Sequence, residues 1–395
     1  MHTHKIIEGL NRSICKSDRI AAVKTALREF SHEDEARHDE EIQLGAANAL
    51  YQKLALAMFQ HHTSEEIGII CESLHCVYFC SLEMKETSFR EIGKDLVHLL
   101  TQVIAQCLEH KIRDETHGIM ENSLGVLVQV SFVHSAEVEM ANRDAFLDQM
   151  LQIIHLEQSK SNSNKALINV QASALSVISN LAFRKENQVM MTSYPGLVDA
   201  LIDCATSGFA SLRRPSLGAL CHLAGSGNVE ASAQMVQNEK LIRALSNLLV
   251  DDNEKTREHA AGTLNNLSVI PQNSVQLVGY GFLLDALMEV FANKIGSSSD
   301  FNNSVDESSW KCATCAFMNL VHGDTALVIA KRRGLLDVLA TIAAMDDVLE
   351  VRETASHALK IIAMNLVLQL DHYGAGQACG DGSSFSVVSS LAKEP

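Results

Sequence analysis

Residues 256–273 read TREHAAGTLNNLSVIPQN, and the reading of the whole chain turns on them. Small and apolar residues recur at helical spacing as far as Leu267, and Pro271 then stops the helix from continuing. Three other stretches align beneath this one: NVQASALSVISNLAFRKEN from Asn169, SLRRPSLGALCHLAGSGN from Ser211 and SSWKCATCAFMNLVHGD from Ser308. Each carries a small residue, two further positions, an apolar residue and then a polar–Leu pair. The polar member is Asn180, His222, Asn266 and Asn319 in turn. Fainter copies, SLGVLVQVSF and ASHALKIIAMN, put Gln129 and Ile361 at the same place.

Successive markers from Gln129 to Ile361 lie 51, 42, 44, 53 and 42 residues apart. The two long intervals contain the polar stretches EQSKSNSNK (157–165) and IGSSSDFNNSVDESS (295–309). Such insertions cost little, because loop-closure entropy grows only logarithmically with length. A second amphipathic segment precedes each marker helix: LVDALIDCA from Leu197, LIRALSNLL from Leu241, FLLDALMEVFA from Phe282 and LLDVLATIAAM from Leu335. Pro195-Gly196 is expected to precede a helix, Pro215 to sit in a first turn, and Gly225, Gly227, Gly281 and Gly334 to mark joins.

A repeat of about 40–47 residues built from helices resembles the armadillo superfamily and its HEAT-like relatives. TREHAAGTLNNLS looks like the third helix of an armadillo unit. The resemblance implies an all-α fold, a right-handed α-α superhelix of armadillo type with about 7 repeats and an N-terminal helical cap. Residues 1–34 are expected to be capping helices, 35–144 degenerate ARM/HEAT-like repeats, 145–370 armadillo repeats and 371–395 a flexible tail. A cap is needed because a terminal unit would otherwise expose its apolar face.

Composition agrees. A hydrophobic share of 47% supplies a core, while 5% aromatics and a single Trp310 leave the packing to aliphatic residues, Met and Cys. The formal net charge of −16, from 48 acidic and 32 basic residues, is unlike a phosphate-neutralising nucleic-acid binder. No run approaches the roughly 18 apolar residues of a membrane span. The first residues, with Glu8 and Asp18, lack the apolar core of a leader, so the ten cysteines read as reduced thiols and the location as cytoplasmic, nuclear or both.

In armadillo proteins the third helices line a groove, and an Asn on them can hydrogen-bond the backbone of an extended peptide. The resemblance places that role on Asn180, Asn266 and Asn319, with His222 and Gln129 at the equivalent positions and His259 on the same face. The competing reading is that these amides hold neighbouring loops of the solenoid itself. Nuclear-import adaptors of the superfamily add Trp four residues before each Asn to clamp lysine side chains. Ser176, Gly218, Gly262 and Cys315 stand there instead, so a Lys-rich import signal has no aromatic slots. Gly218 and Gly262, costly inside a helix, are expected to serve close helix packing rather than a smooth groove floor.

Other chemistry is thin. Cys312-x-x-Cys315 falls mid-helix without a second pair, and Cys71, Cys76, Cys80 and His75 fit a helix core. The acidic run from His32 to Glu41 suits a solvated helix start. Helical-repeat hydroxylases with two irons use repeated His-Glu pairs, and only His32-Glu33 is present. The expectation is a non-catalytic scaffold or adaptor with a protein or peptide partner, and with no cofactor, metal, nucleic acid, membrane or small-molecule substrate. The alternatives are a regulator or exchange factor for a GTPase or chaperone, or a nuclear-transport adaptor.

Overall fold

A computed structural model describes residues 94–109, 114–143, 145–156, 165–225, 227–296, 307–345 and 349–374. The expected cap (1–34), the acidic run, the cysteines at 71–80 and the tail from 375 lie outside the described residues. Every regular element among the described residues is a helix. The chain divides into two compact units, Met1–Asn187 and Gln188–Pro395.

The first unit holds α1 (Lys94–Glu109), α2 (Asp114–Val130), α3 (His134–Ala141), α4 (Phe146–Ile154), α5 (Lys165–Ala182) and the start of α6 (Lys185–Ser193). Helix α2 packs along α5, and α1 against both α2 and α4. Helix α4 buries Phe146, Leu147, Met150, Leu151, Ile153 and Ile154 and keeps Asp148 and Gln152 toward solvent. It starts from Ala145 in the left-handed region (φ 59°), a conformation that disfavours any residue with a Cβ. At its other end, buried Gln171 of α5 donates to the carbonyls of Ile154 (2.9 Å) and Leu156 (3.1 Å). Among the described residues those carbonyls have no other donor, and the last carbonyls of a helix lack partners within it.

The second unit continues with α7 (Leu197–Ala205), α8 (Ala210–Leu223), α9 (Val229–Gln237), α10 (Glu239–Leu248) and α11 (Glu254–Ser268). It then adds α12 (Pro271–Gly279), α13 (Gly281–Gly296), α14 (Glu307–Leu320), α15 (Gly323–Ala330), α16 (Leu335–Met345) and α17 (Leu349–Gly374). Three columns form within it. First helices α9, α12 and α15 stack, second helices α7, α10, α13 and α16 stack, and third helices α8, α11, α14 and α17 stack. This is the solenoid arrangement, in which each repeat buries its apolar faces on its neighbours.

Local sequence explains the joints. Asn228, Asn238 and Asn253 each accept a backbone N–H three residues on, at 3.2, 3.1 and 3.0 Å, so all three helices of one repeat are side-chain capped. Gly196 and Gly334 take positive φ (77° and 82°) immediately before α7 and α16, as Ala145 does before α4. Pro271 opens α12. Pro215 differs from expectation: it lies inside α8, six residues after the cap Phe209, where it removes a donor to the carbonyl of exposed Ser211. That carbonyl can turn to water, so the helix tolerates the break. Trp310 is fully buried, with Phe291 edge-on to it (5.2 Å) and to Phe317 (5.6 Å). No single helix among the described residues is long and apolar enough to cross a membrane.

Candidate functional site: the third-helix amide row

The third helices show one repeating pattern of exposure. On α11, Ala260, Ala261, Leu264 and Leu267 are buried, while His259, Gly262, Asn265 and Asn266 form a half-exposed stripe. Cys312, Cys315, Met318 and Asn319 form the matching stripe on α14. Gln129, Asn180 and His222 are also half-exposed, on α2, α5 and α8. Within each unit the sequence-expected residues therefore lie on packed neighbouring third helices: Gln129 and Asn180 in the first, His222, His259, Asn266 and Asn319 in the second.

The row amides are wired in a consistent sense. Asn180 donates through Nδ2 to Ser131 Oγ (2.8 Å), and Ser131 itself donates to the Val128 carbonyl (2.7 Å). Asn319 repeats this with Ser268 Oγ (3.2 Å), which donates to the Asn265 carbonyl (2.8 Å). A second Asn319 bond reaches Asn265 Oδ1 (3.2 Å). Asn266 has no serine below it, because Ala224 stands there, and donates directly to the Cys221 carbonyl at 3.1 Å. Each acceptor has its own hydrogen used elsewhere or has none, so the amide must face it with the NH2 group. Orientation is thus fixed by the partners. The consequence is that Oδ1 of Asn180, Asn266 and Asn319 receives no donor among the described residues and lies on the half-exposed side.

The N–H half ties one repeat to the one before it, as the structural reading of these amides expects, and the C=O half accepts no hydrogen bond among the described residues. His259 is different: its Nδ1 donates to the Lys255 carbonyl of its own helix (2.7 Å). The His222 carbonyl accepts from Gln188 Nε2 (2.8 Å) and from the Gly225 N–H (2.9 Å). The Asn319 carbonyl is held in the same way by Ser274 Oγ (3.2 Å).

A second rung runs beside the first. Asn169 donates to Glu121 (3.1 Å) between α5 and α2, and Ser308 donates to Glu258 (3.0 Å) between α14 and α11. Lys255, hydrogen-bonded to Glu258 at 2.7 Å, and then Ser308 hold that carboxyl below its ordinary range, against a slight burial that works the other way. Burial pushes the Cys221 thiol up, partly offset by a hydrogen bond with Thr263, so Cys221 stays a neutral thiol beneath Asn266.

Sequence reasoning missed the residues that lock the turn after two of the third helices, α5 and α11. Buried Asn187 donates to the carbonyls of Leu181 (2.9 Å) and Glu137 (3.1 Å); buried Asn273 donates to the Leu267 carbonyl (2.8 Å) and Ser232 Oγ (2.7 Å). Their signal was available: each lies seven residues after a row Asn. Also missed were Phe132 and Phe183, exposed at equivalent positions three residues past Gln129 and Asn180. Gly262 corrects an expectation. A Cβ there would meet only Cys221 Sγ at 3.8 Å, ordinary contact, so close packing does not require the glycine.

Comparison with known proteins bears on the fold. Residues 230–269 match the armadillo/β-catenin-like repeat family. No curated protein sequence matches the chain. Among solved structures, the chain is similar to an engineered protein at 16% identity and TM-score 0.52, covering 92% of this chain and 99% of that one. A designed armadillo repeat protein in complex with the peptide (KR)4 is 14% identical, with TM-score 0.50 and coverage of 69% and 99%. Computationally designed armadillo repeat proteins for modular peptide recognition give 15%, 0.51, 68% and 99%. Residues 230–269 thus carry an armadillo/β-catenin-like repeat, and the fold of the chain is similar to that of designed armadillo repeat proteins.

Proposed function

We propose that this chain is a non-catalytic binding scaffold whose third-helix face takes an extended segment of another protein. The observation that carries the reading is the open Oδ1 on each row amide. A half-exposed acceptor, fixed in direction by a structural bond on its other side, is preorganised to receive a backbone N–H. A row of such acceptors reads main chain without reading side chains. Designed armadillo proteins that bind peptides support the reading by analogy of fold. The side-chain preference should differ from that of a Lys/Arg-binding groove, because Gly218, Gly262 and Cys315 supply no aromatic faces.

The test begins with a random-peptide phage library panned on the full chain, followed by anisotropy measurements on the selected peptides and on (KR)4. Binding that falls at least about tenfold in a folded Asn266→Ala/Asn319→Ala double variant, and again when the peptide backbone is N-methylated at the contact, supports the reading. Unchanged affinity in that variant places binding elsewhere. Preferential binding of (KR)4 would contradict the expected preference.

A further inference from the structure

Helix α17 ends the third-helix column and has a side that no described helix covers. It packs on α14, α15 and α16 through buried Val351, Ala355, Ala358 and Ile362. On the opposite side, Arg352, Glu353, Ser356, His357 and Lys360 join Ala343 of α16 around a depression of about 280 Å³. Ser356 makes the floor short, and its hydroxyl is held by the Arg352 carbonyl at 2.8 Å. Farther along the same side, Met364 and Leu368 are 64% and 55% exposed.

Elsewhere in the second unit, Arg213, Lys240, Arg243, Lys255, Lys311 and Arg332 each hold a carboxylate, while Arg214, Lys331 and Arg333 hold none among the described residues. Arg352 and Lys360 likewise hold none there, and what sets them apart is that they flank one depression, with a single carboxylate, Glu353, on its rim. Among the described residues, a chain of net charge −16 thus keeps two unpaired cations at one concavity, followed along the helix by exposed apolar side chains. Two Coulombic contacts focused in a concavity count for more than the same charges on a flat surface. Arg adds a fork that matches a carboxylate in two bonds.

We infer that this side of α17 is a second binding surface, for an acidic amphipathic segment of a partner protein. Partner carboxylates meet Arg352 and Lys360, and partner apolar residues cover Met364 and Leu368. This surface does not depend on the amide row, so the two can fail separately.

The probe is a fluorescein-labelled synthetic peptide of alternating Glu-Glu and Leu-Leu pairs, titrated with the full chain, beside its Lys-for-Glu counterpart and a single-stranded oligonucleotide. The acidic peptide should bind, and more weakly as salt rises. Arg352→Glu/Lys360→Glu should weaken it at least about tenfold, and Met364→Ala/Leu368→Ala severalfold. Glu353→Gln should strengthen it, an effect that mere structural damage would not produce. Asn266→Ala/Asn319→Ala should leave it unchanged. Failure of the acidic peptide to bind, equal binding of the Lys peptide, tighter binding of the oligonucleotide, or indifference to both Arg352/Lys360 and Met364/Leu368 changes would overturn the assignment.

Discussion

The repeat at α9–α11 and the repeat at α3–α5 reach the same three-helix form by different routes. In the first, Asn228, Asn238 and Asn253 cap every helix with their own side chains. In the second, Val133 and Ala145 precede α3 and α4 without any side-chain cap, and Ala145 is also in the left-handed region. What holds that repeat is tertiary: the apolar face that α4 buries, the Gln171 clasp at its C-terminal end and the Asn187 lock. One repeat announces itself locally, and the other is stable only because its neighbours bury it.

The comparison is broken most severely at the lock the two repeats share. Asn187→Ala and Asn273→Ala each remove two buried hydrogen bonds; the second also leaves the Leu267 carbonyl without its donor, whereas Leu181 keeps the Arg184 N–H at 3.3 Å. Each should cost about 2–3 kcal/mol in denaturant unfolding. A loss confined to one of them would show that the lock is not a common device.

The capping difference gives a smaller effect. Asn238 caps α10 by accepting the Leu241 N–H, and its replacement by Ala should cost about 1 kcal/mol. Val133→Asn, at the uncapped start of α3, should still destabilise, because the loss of the buried Val133 side chain outweighs the cap it would add.

Gly262→Ala should stabilise by about 0.5–1 kcal/mol, since the added methyl finds only ordinary contact and the helix gains propensity. A loss of stability would restore the packing explanation of that glycine. The smallest change is at Ala145: glycine there relieves the left-handed strain and should raise stability by about 0.5 kcal/mol, net of its own entropy cost.

These contrasts explain what could be read from residues alone. The period, the helix pairs and the third-helix row were legible because Leu, Ala and Asn recur where a helix face needs them. TREHAAGTLNNLS was clearest because it sits in the repeat whose caps, turns and core all agree locally. Pro215 was misplaced because a proline is admissible in a first turn or at a solvent-facing carbonyl, and only the tertiary setting of Ser211 separates the two. The role of Gly262 turned on its distance from Cys221, which belongs to another helix. The direction of the row amides was likewise beyond sequence, since it rests on Ser131, Ser268 and the Cys221 carbonyl one repeat away.

That direction is the central structural claim, and an isosteric pair at Asn266 tests it. Asn266→Asp keeps the shape but sets a carboxylate oxygen against the Cys221 carbonyl now 3.1 Å from Nδ2. Asn266→Ala only removes the bond. If the NH2 group faces the previous repeat, the Asp variant should have a clearly lower denaturation midpoint than the Ala variant at neutral pH, and should recover part of the difference in acid, where the carboxyl can donate. An Asp variant as stable as the Ala variant, with no dependence on pH, would contradict it.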